Sequence, residues 1–186
     1  MQYHDVNHST TASNCYIPGI PPRLAVVVNG KVQGICTAAG TQLAAQADLC
    51  VASPSATFAT PGVQRGGFCT TPSVAISRSL PFPKQILRML LTGELFTAQK
   101  ALECGLVSHV AEGDLDKYTQ DLAAQIAGAA STTLFLGKRG YYQQKDLRIA
   151  EAYEFAGKVM ARNFCLCDSE EGVAAFIEKR EARWNR

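Results

Sequence analysis

The chain has no apolar run that approaches the about 20 residues of a membrane-spanning helix, so we expect no insertion into a membrane. It also lacks an excess of one charge. Its 18 Lys and Arg residues and 16 Asp and Glu residues leave a net charge of +2, and no basic stripe is present. So small a charge does not indicate a nucleic-acid partner.

A paired cysteine motif is also missing. The 7 cysteines include no Cys-x-x-Cys pair, and their number is odd. The nearest two, Cys165 and Cys167, are too closely spaced for most structural metal sites. We therefore expect reduced and mostly buried thiols in an intracellular compartment, with no disulfide framework and no metal.

The N-terminal residues 1–20 contain no Lys or Arg, which argues against a mitochondrial transit peptide in this stretch. They are polar and show neither helical nor strand periodicity, so we predict an unstructured tail. His4 and His8 have the spacing of two metal ligands on a helix. Because no pattern predicts a helix there, we expect solvated histidines.

From residue 21 onwards the 186-residue chain is apolar enough, at 47% hydrophobic residues, to build one folded core. Three apolar runs predict buried strands, and a helix up to about Gln46 lies between the first two. These runs are Leu24–Val28, Asp48–Ala52 and Thr57–Thr60. Strand, helix and strand in this order favour a parallel α/β arrangement.

The remainder is predicted to be mainly helical. Helices are predicted from Pro72, over Pro83–Leu91 and over Thr97–Gly105, with Thr97 as the N-cap and Gly105 just after the last turn. From residue 114 the pattern is helical to the end, and the last helix covers about 169–184. The chain therefore divides into a tail, an α/β core over 21–113 and a helical region over 114–186.

The stretch Ala38–Ala45 carries the first chemical prediction. Small residues at the start of a helix let the backbone approach a ligand closely. The free N–H groups of the first helical turn then stabilise a developing negative charge, as in one half of an oxyanion hole. The alternative is a tight turn between a strand and a helix in an ordinary α/β core.

Three stretches resemble the enoyl-CoA hydratase/isomerase (crotonase) family. Residues 24–52 contain Asn29-Gly30, the small-residue stretch and Asp48. Residues 91–110 are similar to the family's block from Leu-Thr-Gly to Gly-Leu-Val nearly residue for residue, and residues 168–180 match its closing helix. The resemblance covers about residues 22–186.

This resemblance implies a crotonase-like (ClpP/crotonase) α/β fold. It is a spiral of ββα turns, here without its first elements, with a helical C-terminal region that builds trimers. Members bind acyl-CoA thioesters, and two backbone N–H groups stabilise an enolate formed from the thioester. Hydratases add two glutamates that handle water and a proton. The resemblance also implies acyl-CoA as substrate or ligand without a further cofactor, a homo-oligomer (trimer or hexamer), and a mitochondrial location.

Three departures from the family pattern change the expected chemistry. By the same resemblance the two glutamate positions are Gln42 and Gly62, and neither side chain transfers a proton at neutral pH. The early part of the family's fold, which holds the other oxyanion N–H, has no counterpart in residues 1–20. Residues 31–34 look like extra material that lengthens the loop before Ala39, which holds the remaining oxyanion N–H.

Three functions follow from these observations. The first is an acyl-CoA-binding protein of fatty-acid metabolism that lacks standard hydratase chemistry. Its site would combine the Ala39 N–H with a loop for the acyl chain, and the resemblance implies that two residues of the last helix contact the coenzyme A adenine or phosphates. These residues are Gly66, Gly67, Phe68, Phe176 and Lys179. Core packing for Phe176 and a solvated charge for Lys179 are the alternatives.

The second function is a weakly active hydratase or isomerase that uses another base, and His109 is the candidate besides a carboxylate. The carboxylates nearest in sequence, Asp48 and Glu94, are better explained as a capping residue and a loop residue. The third function is a non-catalytic oligomer subunit built on the helical region.

Overall fold

The structure is a computed structural model that describes residues 2–5, as backbone only, and residues 27–184. These residues form two compact units. The first contains residues 2–5 and 28–123, and the second contains residue 27 and residues 124–184. The boundary between the units lies inside a helix, whereas the sequence patterns placed the change from α/β core to helical region at residue 113.

Most of the first unit consists of short strands and the helices that join them. Along the chain the elements are β1 (Gln2–Asp5), β2 (Val28–Val32), β3 (Ile35–Thr37), α1 (Ala39–Gln46), β4 (Leu49–Ala52), β5 (Thr57–Ala59), a 3₁₀ turn (Pro61–Arg65), α2 (Thr70–Ser79), α3 (Pro83–Thr92), β6 (Phe96–Thr97), α4 (Ala98–Glu103), β7 (His109–Val110) and α5 (Leu115–Ala127). The last four residues of α5 belong to the second unit.

Two small sheets organise this unit. One sheet has the order β1-β2-β4-β7, with β1 antiparallel to β2 and the other neighbours parallel. The other has the order β3-β5-β6, with β3 parallel to β5 and β5 antiparallel to β6. In two parallel pairs, β2 with β4 and β3 with β5, helix α1 lies between the two strands in the sequence. The predicted parallel α/β arrangement is therefore confirmed for these pairs.

The core of the unit packs apolar side chains of α1 to α4 against these strands. Phe58 and Ile76 are fully buried in it. Cys36, Cys50 and Cys104 lie in the same core, as predicted for buried cysteines, whereas Cys165 and Cys167 are exposed. The core therefore uses cysteine as a small apolar residue.

Several predicted boundaries are confirmed, because local signals set them. Thr97 caps α4, and its Oγ1 accepts a hydrogen bond from the Lys100 N–H at 3.2 Å. Gly105 follows the end of α4 with a left-handed φ of 81°. Strands β4 and β5 and helix α3 lie where the apolar runs predicted them.

The segment before Ala39 corrects the prediction of a lengthened loop. Lys31 and Val32 continue β2 and pair with Val51 and Ala52, and residues 35–37 form β3. Tertiary contacts override the polar character of this segment, since the buried Lys31 side chain forms an ion pair with Asp116 of α5. The predicted strand Leu24–Val28 begins before the described residues, and β2 itself starts at Val28.

The N-terminal residues differ from the expected tail at one place, because residues 2–5 form β1 along the edge of β2. The other residues of the predicted tail, including His8, lie outside the described residues. Backbone pairing with an existing strand needs no apolar side-chain pattern, which is why no periodicity predicted β1.

The second unit contains the last turn of α5 and three helices: α6 (Ser131–Gln144), α7 (Ile149–Phe164) and α8 (Cys167–Glu178). α8 is shorter than the predicted helix, because Lys179 adopts a left-handed conformation and residues 181–184 are not helical. Within the described residues, no helix is long and apolar enough to cross a membrane.

Candidate active site

The candidate oxyanion site lies where β3 turns into α1. The turn residue Ala38 has φ 48° and ψ −112°, an unusual backbone conformation for a residue with a side chain. Its N–H donates to the carbonyl of Ala59 at 2.9 Å, and its carbonyl accepts the N–H of Gln42 at 3.0 Å. α1 therefore starts at Ala39, which is exposed, and the first-turn N–H groups remain free of helical partners.

Thr41 stabilises this turn through its buried side chain. Its side chain is fully buried, and Oγ1 lies 2.8 Å from the carbonyl oxygen of Cys36 and 2.9 Å from that of Ala59. One threonine hydroxyl thus ties β3, β5 and α1 together. The start of α1 is therefore preorganised, as a group that stabilises an oxyanion requires.

Gln42 lies on the same helix and is buried, with 4% of its surface exposed. A glutamine amide donates and accepts hydrogen bonds but holds its protons at neutral pH. Position 42, one of the two glutamate positions that the resemblance implies, thus carries a buried group without acid or base function.

Gly62 lies in the 3₁₀ turn just after β5. A Cβ at this position would lie 2.9 Å from Cys69 Sγ and 2.9 Å from the carbonyl oxygen of Gly67. The Gly67 N–H also donates to the Gly62 carbonyl at 3.0 Å. The second glutamate position therefore has no room for a side chain, and backbone atoms occupy the space that one would need.

The turn around Gly62 is fastened to α3. Thr60 Oγ1 donates to the carbonyl of Met89 at 3.1 Å, and Gln64 Nε2 donates to that of Thr92 at 2.9 Å. Gly93, with φ 67°, packs so closely that a Cβ there would lie 3.0 Å from both Gln64 and Pro61. These contacts keep the turn from moving away to admit a larger residue at position 62.

The loop predicted to bind an acyl chain continues directly from this turn. Gly66 has a left-handed φ of 75°, and Gly67 contacts Gly62. Phe68 keeps 45% of its surface exposed. The structure thus brings the loop residues Gly66, Gly67 and Phe68 next to Gly62, and Ala59 of β5 links Gly62 to Ala38 and the start of α1.

The alternative bases have other contacts. Asp48 Oδ2 accepts the N–H of Val28 at 2.7 Å, and Glu94 Oε1 lies 2.8 Å from Arg88 Nε. The interpretation of these two acids as structural is consistent with these contacts. His109 lies in β7, and its ring stacks on that of Tyr118 with centroids 4.2 Å apart and an interplanar angle of 5°.

Two buried thiols near the turn are also unsuited to nucleophilic chemistry. Burial raises the pKa of Cys36 to about 11 and that of Cys50 to about 12. Both are therefore protonated at neutral pH, and the thiolate is the reactive form. Among the described residues no cluster of three His, Cys, Asp or Glu side chains is able to hold a metal ion.

Phe176 and Lys179 lie in the second unit, at the end of α8. Phe176 is 84% exposed, so the alternative interpretation of core packing is wrong for this residue. Lys179 is exposed and has a left-handed backbone with φ 55° and ψ 41°. Apart from Ala38, it is the only described residue other than glycine with a positive φ.

A sequence model of the enoyl-CoA hydratase/isomerase family matches residues 23–186. The chain belongs to this family. It is 43% identical over 161 residues to the mouse protein named enoyl-CoA hydratase domain-containing protein 3, mitochondrial, and the match covers 86% of this chain and 53% of that protein.

Solved structures agree on the fold. An enoyl-CoA hydratase from Mycobacterium smegmatis superposes with a TM-score of 0.84 at 41% identity, over 88% of this chain and 63% of that one. Human enoyl-CoA hydratase domain-containing protein 3 superposes with a TM-score of 0.83 at 43% identity, over 86% and 63%. The chain thus has a crotonase fold and spans about half the length of the curated relatives it matches.

Two features of the site were missed by the sequence patterns. One is strand β3, which delivers Ala38 to its position, since three residues are too few for a recognisable apolar pattern. The other is the steric closure at Gly62. Gly66 and Gly67, which follow a few residues later in the sequence, were the signal that could have indicated it. Their freedom lets the backbone fold back onto position 62.

Proposed function

We propose that this chain is an acyl-CoA-binding protein that does not carry out standard enoyl-CoA hydration. One observation carries the proposal: both positions of the family's catalytic glutamates lack an acid or base, and position 62 has no space for one. Hydration of an enoyl thioester adds water across a C=C bond. It needs a base that takes a proton from water and an acid that delivers a proton to the α carbon.

The residues that remain are suited to binding. The free N–H groups at the start of α1 are hydrogen-bond donors for a thioester oxygen, and Ala39 is the first of them. Gly66, Gly67 and the exposed Phe68 offer an open, partly apolar loop beside this turn. Lys179 offers a positive charge for a phosphate group, and the exposed Phe176 ring offers a stacking surface for adenine.

The proposal is tested by calorimetry and an activity assay on the same preparation. We expect heat of binding with coenzyme A and with acyl-CoA thioesters of short and long chains. In parallel, crotonyl-CoA should keep its conjugated enoyl absorbance at high protein concentration. Absence of heat at millimolar ligand contradicts binding, and steady loss of the absorbance supports a weakly active hydratase with another base.

A second candidate function, subunit of a homo-oligomer, rests on the exposed apolar side chains of the second unit. On α7 they recur at spacings of 4, 7 and 4 residues, which places them on one face of the helix. These residues are Ile149, Tyr153, Met160 and Phe164. Val173, Phe176 and Ile177 form a similar exposed face on α8.

Large exposed apolar patches on a folded chain are typical of protein–protein interfaces. We therefore propose that these faces pair with further copies of the chain or with longer relatives.

We also propose a mitochondrial location, which the names of the similar vertebrate proteins support.

A further inference from the structure

The chain bends sharply at Lys179, directly after α8. A left-handed conformation is unfavourable for a residue with a Cβ, and helices usually end with glycine at such a position. The Lys179 N–H donates to the carbonyl of Phe176 at 3.3 Å, and the Arg180 N–H donates to that of Ala175 at 3.0 Å. A lysine therefore occupies a position that favours glycine, and neighbouring contacts must maintain it.

Glu171, two turns earlier on α8, makes those contacts. Its Oε1 and Oε2 accept hydrogen bonds from Arg180 Nη1 at 2.6 Å and Nη2 at 3.0 Å, which is a bidentate pair. Oε1 also accepts the backbone N–H of Arg183 at 2.7 Å. One carboxylate thus binds the chain just after Lys179 at two points.

Further contacts keep the returning chain in place. Trp184 Nε1 donates to the carbonyl of Gly128 at 2.7 Å, and a Cβ at Gly172 would lie 3.4 Å from the Trp184 ring. The hydrogen bonds from Arg180 and Arg183 lower the pKa of Glu171 to about 2. The carboxylate therefore stays ionised at any pH above the acid range.

The two cations next to each other at the turn, Lys179 and Arg180, differ in their partners among the described residues. The Arg180 guanidinium is engaged by Glu171 and also by Glu178, whose Oε2 lies 2.5 Å from Arg180 Nε. Lys179 Nζ forms no ion pair with any of the described residues. Its ammonium is exposed at the apex of the closed turn.

We infer that Glu171 is a positioning residue, which holds the turn after α8 so that Lys179 presents its ammonium to a phosphate group of coenzyme A. This inference rests on the proposed binding of acyl-CoA. Glu171 does not contact the ligand itself. Because a lysine side chain is long and flexible, fixing its backbone reduces the conformational freedom that binding would remove.

The test is a double-mutant cycle with coenzyme A as the probe in calorimetry. Glu171→Gln removes the carboxylate charge, and Lys179→Gln removes the ammonium. We expect each single variant to weaken binding by about threefold or more, which is the scale of coupling between neighbouring residues. We expect the double variant to bind no more weakly than Lys179→Gln alone.

Glu154→Gln is the matched control, since it breaks an exposed ion pair with Lys158 (2.6 Å) that lies within α7 and involves no residue of the turn. It should bind like the wild type. Arg180→Lys keeps the charge but loses the bidentate geometry, so it should weaken binding in the same direction if Glu171→Gln fails to fold. Thermal unfolding of each variant is measured in parallel.

The outcomes separate the two proposals. Wild-type protein that gives no heat overturns the proposed function together with the positioning role. Binding that weakens in Lys179→Gln but not in Glu171→Gln overturns the positioning role alone. The positioning role is also overturned if the losses of binding free energy in the two single variants add up in the double variant, because Glu171 then acts independently of Lys179.

Discussion

At the scale of single residues, the two positions that the resemblance assigns to the family's glutamates differ from each other. Gln42 keeps the size of a glutamate and changes only its chemistry. Gly62 also removes the space, since the carbonyl of Gly67 and Cys69 Sγ lie where a side chain would begin. Residue identity shows that neither position carries an acid or a base, but only the packing shows that position 62 is closed to any side chain.

This difference predicts the effect of the smallest possible side chain. Gly62→Ala should destabilise the chain by about 1–3 kcal/mol, because the added methyl overpacks a closed site. Gly34→Ala is the control, since nothing lies within 4 Å of a Cβ at position 34. It should be neutral or stabilise by about 0.4–1 kcal/mol through the unfolded state.

Urea unfolding of both variants measures the difference. Equal stability of the two would show that the turn at Gly62 yields and that a longer side chain is able to enter. In that case Gly62→Glu combined with Gln42→Glu should give measurable hydration of crotonyl-CoA. With the closed turn, we expect that double variant to stay inactive.

At the scale of elements, local sequence signals predicted helix α4, whereas strands β2 and β3 depend on pairing with distant parts of the chain. α4 was predictable because its N-cap Thr97 and its following Gly105 lie within a few residues of the helix. β2 and β3 were not, because their partners β4 and β5 lie about twenty residues further along the chain. A polar stretch such as residues 31–34 indicates a loop as long as the strand that pairs with its first two residues is unknown.

The cap of α4 predicts a loss of stability on removal of one oxygen. Thr97→Ala should cost about 1 kcal/mol, the typical value for an N-cap threonine, because the Lys100 N–H loses its acceptor. Thr71→Ala is the comparison, since Thr71 lies exposed in the first turn of α2, a helix without a side-chain cap.

The comparison variant should stay within about 0.5 kcal/mol of the wild type, as is usual for a surface substitution. Denaturant midpoints at constant slope report both values. A Thr97→Ala variant as stable as Thr71→Ala would mean that α4 is held by its buried residues Ala98 and Ala101 alone.

At the scale of the whole molecule, the exposed apolar faces of α7 and α8 depart from an ordinary surface. Phe176 at 84% and Tyr153 at 77% exposure are large rings in contact with water. The sequence patterns predicted that these regions are helical. They did not show which apolar residues pack within the unit and which stay outside, because that depends on where α6 and α7 meet.

We therefore expect the chain to associate as its concentration rises. Tyr153→Glu places a charge in the apolar face of α7 and should shift the molecular mass towards the monomer. Lys158→Glu introduces the same residue on the opposite side of α7, where Lys158 pairs with Glu154, and should leave the mass unchanged. Size-exclusion chromatography with light scattering measures both.

A monomeric wild type at high concentration would contradict the role as a homo-oligomer subunit. A mass that falls equally in both variants would indicate that added negative charge, and not the apolar face, controls association.

The sequence by itself determined the family and the caps of α4, because these depend on the identity of residues and on contacts a few positions apart. Only the tertiary structure decided that residues 31–32 and 35–37 are strands, that Lys31 is buried against Asp116, and that position 62 is closed. The tertiary structure also decided the left-handed backbone of Lys179, which depends on the hydrogen bonds of Glu171 to Arg180 and Arg183. Each of these depends on atoms that are distant along the chain and that meet only after folding.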